Sequence, residues 1–406
     1  MQKKLCAFQK YNSINKVKIK AILIVILLGL ALILTIKIPY FVNADDTESS
    51  INASVSEIIE KIDFSELQSI IDDLEEINIF QIDIKDKISS IISGKYFTNY
   101  SSIFAGIISL LLSNIGNFLP ILFTLIAIGL LSSMLINLNS TKSTFGTQEV
   151  IRFVCFATVV MVVMVYFKKM LFNTHSVLDS ISTQMQIVFP ILITLLTSIG
   201  SLSTVAIYRP LVAVLTTLSS MVFDKFLYPI FILILLLTII GNLTDTVKLN
   251  KLIGFFSSLF KWTVGIVFTL FTGFLSIQGI SAGKFDNISI KATKFAVKSY
   301  IPLIGGYISD GMDFIILGSV LVKNTFGLVG VLIIFITILS PILNMLLFKL
   351  TLQLASGILE VSSENKISSF LNSCANLMIY PIVILLGISF MYIITIALIM
   401  CTANIF

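Results

Sequence analysis

Two carboxylates inside an apolar stretch are the residues of this 406-residue chain best placed to do chemistry. Asp310 and Asp313 fall one helical turn apart on a common face, within residues 301–322. A carboxylate in hydrocarbon is expensive, so such a pair marks an ion or substrate path by default. The alternative is that the stretch is two pieces meeting at an aqueous surface, with both aspartates solvated. Pro302, Gly305, Gly306 and Gly311 are the residues that would allow such a helix break. Lys323 and Asn324 follow the apolar run 314–322 and complete a candidate intramembrane polar site. Lys323 also fits an end anchor, its stem in lipid and its ammonium snorkelling to water.

Other chemistry finds no support in the residue pattern. There is no G-x-x-x-x-G-K-[ST] to cradle a nucleotide and no H-E-x-x-H, and the single histidine, His175, cannot build a multi-His metal centre. His175 reads as a solvated residue in a polar loop. The serines have no local base, and Cys6, Cys155, Cys374 and Cys401 lack any short spacing, which makes them buried free thiols. The expectation is a protein that is not an enzyme and carries no cofactor or metal. With one Trp and no Arg cluster, nucleic acid is not a partner either.

The elements that position these residues are membrane helices. The chain is 56% hydrophobic and only 12% charged, where soluble domains run near a quarter charged. Seven stretches are long enough, or nearly so, to cross a bilayer: about 115–136, 150–167, 187–207, 226–243, 262–282, 325–348 and 376–402. Residues 211–223, 301–322 and 350–361 are shorter or interrupted by Gly and Pro, as broken or re-entrant segments are. The predicted fold class is therefore all-α: a polytopic helical membrane protein of about seven to nine segments, one or two of them broken or re-entrant. Gly279 and Gly283 suit close helix contact. Charged loops give a mixed answer on orientation, because Lys142, Arg152 and Lys284–Lys298 point one way while Lys168, Lys169, Lys248 and Lys251 point the other.

Charge divides the chain into three regions. Residues 1–44 hold seven lysines and no acid, with an apolar run over 21–36 and small residues before Ala44. That is a secretory signal peptide, cleaved between Ala44 and Asp45, or else an uncleaved anchor. Residues 45–97 form an acidic segment outside the cytoplasm; up to Lys95 it holds four lysines against thirteen acids. Val55, Ile58, Ile59 and Ile62, then Leu67, Ile70, Ile71, Leu74 and Ile77, recur at helical spacing, and Ser65 with Gln68 fits a capping box. So short a segment cannot bury its own core, and its charge is repelled by anionic lipid, so a protein partner suits it best. Residues 98–406 are the polytopic membrane domain, in contact with the lipid bilayer.

Between 276 and 330 the order of residues becomes specific. Ser276-Ile277-Gln278-Gly279 is followed by Lys291-Ala292-Thr293-Lys294-Phe295, then Ile301-Pro302-Leu303-Ile304-Gly305 and Ser309-Asp310. Leu321-Val322-Lys323-Asn324-Thr325 comes next, with Gly327 and Gly330 behind it. This pattern closely resembles the stage III sporulation protein AE family of endospore-forming Firmicutes. The resemblance extends along the chain through the signal peptide, the acidic exported segment, Phe189-Pro190 and the apolar C-terminus. It implies a subunit of a channel or transport complex between mother cell and forespore, needed for endospore development after engulfment. The implied partners are the other stage III sporulation AA–AH proteins, including a separate ATPase subunit, and a forespore-side protein. The implied place is the mother-cell membrane around the forespore, with the acidic segment in the intermembrane space. Gln278, Lys294, Pro302, Asp310, Lys323 and Asn324 fall within the shared pattern, and no catalytic residue carries over. The residues themselves keep two other readings open: a stand-alone secondary transporter coupled to ions through Asp310 and Asp313, and a non-conducting membrane scaffold.

Overall fold

In a chain this apolar the backbone N–H and C=O groups have no water to turn to, so each must be satisfied inside its own helix. The computed structural model describes Ser65, Gln68 and Ser69 together with residues 100–139, 145–243, 249–300, 305–362 and 365–402. The body folds as α1 (Tyr100–Asn139), α2 (Phe145–Ile199), α3 (Leu202–Val222), α4 (Tyr228–Leu243), α5 (Asn250–Tyr300), α6 (Gly305–Val361), α7 (Asn365–Leu377) and α8 (Ile379–Cys401). One π-helical turn, Phe223–Leu227, joins α3 to α4. This is the expected all-α polytopic membrane fold. The proposed cleavage point between Ala44 and Asp45 and the helix-breaking Pro302 lie outside the described residues. In the acidic segment, Ser65, Gln68 and Ser69 are helical.

The number of segments differs from expectation. Among the described residues six helical stretches are long and apolar enough to cross a membrane. Apolar runs that read as separate spans are fused. Residues 150–167 and 187–199 are joined through Lys168, Lys169 and His175, so His175 sits within α2 and in no loop, while the turn at Gly200 divides the run expected over 187–207. Residues 211–222 belong to α3, Phe223 opens the π-helical turn, and the basic stretch after Gly283 belongs to α5. Residues 305–322, 325–348 and 350–361 are one helix, α6. Gly305 is its first residue, directly after the undescribed residues 301–304, and Gly306 and Gly311 lie within it without interrupting it. A helix-interior glycine costs about 1 kcal/mol, which is less than exposing unpaired backbone groups to hydrocarbon. With 55 and 57 residues, α2 and α6 are each about 80–85 Å long, more than twice the hydrocarbon thickness of about 30 Å.

α6 is the centre of the body and packs against α1, α2, α5, α7 and α8. In its most apolar window 72% of the residues are buried, against 6% in the corresponding window of α5. Aromatic rings fix the level at which the helices meet. Phe348 of α6 contacts Phe118 of α1 at 6.2 Å and Phe167 of α2 at 5.9 Å. Phe167 meets Phe231 of α4 at 6.2 Å, and Tyr380 of α8 touches both Phe231 at 6.2 Å and Phe260 of α5 at 4.7 Å. Six helices thus share one ring layer, a geometry worth about 0.5–1.5 kcal/mol per pair beyond burial.

Two glycines earn their positions. Gly200 has φ +88°, a conformation that favours glycine, and ends α2 in a Schellman turn. The Gly200 N–H donates to Thr197 O at 2.9 Å and the Ser201 N–H to Leu196 O at 3.0 Å, which reverses the chain into α3. Gly330 lets α6 approach α2: a Cβ there would stand 3.2 Å from the stiff β-branched Val188.

Candidate functional site

The polar residues that sequence placed together are separated by the helix that carries them. Asp313 and Lys323 are ten residues apart on α6, about 15 Å along its axis. They do different work.

Lys323 is 0% exposed, against the expectation of an end anchor snorkelling to water. Its Nζ donates to the carbonyl of Met400 at 3.1 Å and also to the carbonyl of Thr402. The last carbonyls of a helix lack intrahelical partners, and that end carries the negative pole of the helix dipole. The buried cation therefore closes the C-terminus of α8 from a neighbouring helix. Thr402 adds its own closure, with N–H to Leu398 O at 3.0 Å and Oγ1 to Ile399 O at 2.8 Å. Asn324, next in sequence, is half-buried, and its enclosed Oδ1 has no hydrogen-bond partner among the described residues.

Asp313 forms an ion pair with Lys294 of α5, itself mostly covered. Burial draws the Lys294 pKa below the usual lysine value. The carboxylate beside it favours the charged form. The pair ties the basic end of α5 to the start of α6. Because Asp313 is 42% exposed, solvent screens the attraction, and a double-mutant cycle over Lys294→Ala and Asp313→Ala should return a coupling of about 0.5–1 kcal/mol. A coupling indistinguishable from zero would show the pair to be a passive surface contact. Asp310 lies one turn earlier on the same helix.

Sequence reading missed the most fully engaged carboxylate. Asp286 of α5 is 1% exposed and accepts from the Ser203 N–H at 2.9 Å, the Thr204 N–H at 3.0 Å and the Thr204 hydroxyl. The Val205 N–H donates to Ser201 O at 3.1 Å, so Ser201 is the N-cap of α3 and Ser203 and Thr204 are its second and third residues. An N-cap side chain normally serves those two N–H groups. Here Asp286 does so from another helix, and the buried Ser201 hydroxyl has no partner among the described residues. A negative charge at a helix N-terminus is favoured by the dipole as well.

Smaller polar contacts link the remaining helices. Gln184 of α2 donates to Thr337 of α6 at 2.9 Å. Ser356 of α6 and Ser368 of α7 exchange hydroxyl-to-carbonyl bonds at 2.8 and 2.9 Å, and Ser133 of α1 donates to Ser362 O at 2.9 Å. Interhelical bonds of this kind are the ordinary polar glue of membrane bundles. His175 stands 3.6 Å from both Asp179 and Asp224, with its ring stacked on Phe223 at 5.8 Å. Of the thiols, Cys374 is buried as expected, whereas Cys155 is half-buried and Cys401 exposed.

Long apolar helices fixed to one another by buried caps and sparse polar bonds define a polytopic helical membrane protein. The profile of stage III sporulation protein AE matches residues 82–403, a stretch that takes in all eight helices. The chain belongs to the stage III sporulation protein AE family. It is similar to "Stage III sporulation protein AE" of Bacillus subtilis (strain 168), 27% identical over 215 residues. That match covers 53% of this chain and 54% of the relative, so the chain spans about half the length of the curated relative it matches. No solved structure matches it.

Proposed function

We propose that the chain is an integral membrane subunit of the multiprotein mother-cell-to-forespore channel or transport complex on which endospore development depends after engulfment. The observation that carries this reading is the family match across residues 82–403. The polar residues support it. Lys323, Asp286 and the Lys294–Asp313 pair are occupied in holding helices, which suits a subunit whose driving energy comes from elsewhere. In this reading the chain does no bond chemistry. A separate ATPase among the AA–AH proteins supplies energy, and a forespore-side protein completes the assembly. The body sits in the mother-cell membrane around the forespore, and the acidic segment meets its partner in the intermembrane space.

Deleting the gene in its spore-forming host should leave vegetative growth normal and arrest sporulation after engulfment. Normal spore yield from the deletion strain would overturn the proposal.

A further inference from the structure

The two halves of α2 present different surfaces. Its first half exposes Val150, Phe153, Val154, Met161 and Val165, the kind of face lipid accepts. From residue 173 to its end the helix exposes none of its large apolar side chains. Its apolar residues there, such as Ile181, Met185, Val188, Leu192 and Leu196, are buried in the bundle. Outward stand Ser176, Asp179, Thr183, Gln186, Thr194 and Thr197, recurring mostly at three and four residues along one face.

The neighbouring helix shows that depth does not explain this. The Gly200 turn joins α2 and α3 at one end, and the contacts of His175 with Asp224 and Phe223 join them at the other. Residues 175–199 and 202–224 therefore run antiparallel over the same depth, each about 35 Å long, close to the hydrocarbon thickness. Over that depth α3 exposes Leu202, Val214, Leu218 and Met221, with Arg209 and Thr217 as its exposed polar residues. The exposed surface of α3 is mostly apolar, and that of α2 beside it is polar.

We propose that the outward face of α2 from Ser176 to Thr197 meets water, as one wall of a hydrophilic passage that neighbouring subunits complete. The passage rests on the transport-complex reading; the contact with water does not. The competing account is a lipid-facing helix rich in hydroxyls. Thr183, Thr194 and Thr197 do bond back to their own helix, at 3.0, 2.8 and 2.9 Å, and hydroxyls satisfied this way are tolerated in lipid. Asp179 and Gln186 decide against it. An ionised carboxylate is costly in lipid, and Asp179, one turn from the end of the layer, has the half-exposed His175 as its ionic neighbour among the described residues. Gln186, seven residues beyond Asp179 and near the middle of the layer, is exposed, and its amide has two donors and an acceptor, more than one bond back to the helix can satisfy.

The test is cysteine accessibility in the full chain, in a background with Cys6, Cys155, Cys374 and Cys401 replaced by alanine and spore formation retained. In opened membranes, a charged, membrane-impermeant thiol reagent should modify Thr183→Cys, Gln186→Cys and Thr194→Cys and leave Met161→Cys and Val214→Cys unmodified. Protection of all three stripe cysteines overturns the proposal, because the face is then covered by lipid or protein. For the passage itself, Gln186→Trp and Thr194→Trp should block spore development while the chain accumulates normally, with Met161→Trp harmless. Normal sporulation in both stripe variants overturns the passage even where the cysteines are modified. A deletion strain that sporulates normally would instead sink the transport-complex reading and leave the labelling pattern standing.

Discussion

Lys323→Glu should abolish accumulation of the folded protein. The substitution sets a buried anion against the carbonyls of Met400 and Thr402, at the negative end of the α8 dipole. Lys323→Met separates charge from volume. It fills the same space but leaves those carbonyls without a donor, and should cost about 3 kcal/mol, from the lost charge-assisted bonds and the lost dipole contact. Thermal unfolding of the purified protein in detergent reads this directly. Lys323 has only carbonyl dipoles among its described hydrogen-bond partners, so Lys323→Met strands acceptors and no opposite charge. Lys323→Met should therefore remain foldable where Lys323→Glu is not. Equal accumulation of both variants would show that the cap contributes little.

The second large effect is expected at Asp286. Asp286→Ala strips the cap from α3 and leaves the N–H groups of Ser203 and Thr204 buried without acceptors. The cost should be about 2–4 kcal/mol, combining a lost N-cap with unsatisfied donors. Asp286→Asn keeps one acceptor oxygen and should lie between alanine and the native chain. The same unfolding measurement checks the order. If alanine and asparagine are equally damaging, the carboxylate's charge matters and its two-point geometry does not.

How far the sequence spoke for the fold depended on the range of the interaction. Hydropathy is local, so the apolar runs, the all-α class and the family pattern over 276–330 were legible. The fusion of those runs was not. Lys168, Lys169 and His175 look like loop residues in a hydropathy plot, yet none of them breaks a helix, and α2 passes through them unbroken. The same holds for Gly306 and Gly311 in α6. Lys323 stood out by type, but its role lies in carbonyls 77 and 79 residues away, a distance no spacing rule reaches. Asp286 lay in a stretch dominated by lysines, 82 and 83 residues from the N–H groups it caps. The one available signal was its acid type among Lys284, Lys291, Lys294 and Lys298.

The contrast between the two faces of the α2–α3 hairpin was hidden for a related reason. Both segments are apolar on average, and only the packing reveals that α2 turns its Ile, Leu and Val inward while α3 leaves several outward. Mean hydropathy sums over a helix; the side facing lipid is set by which residues the neighbours cover.

The central claim is that the chain works as one subunit of a sporulation membrane complex, and purification from its native setting tests it most directly. A tagged chain taken from detergent-solubilised membranes of engulfed sporangia should bring with it the other stage III sporulation proteins, the ATPase subunit among them. Recovery of the chain alone, from cells in which the tagged protein still supports spore formation, would contradict the account.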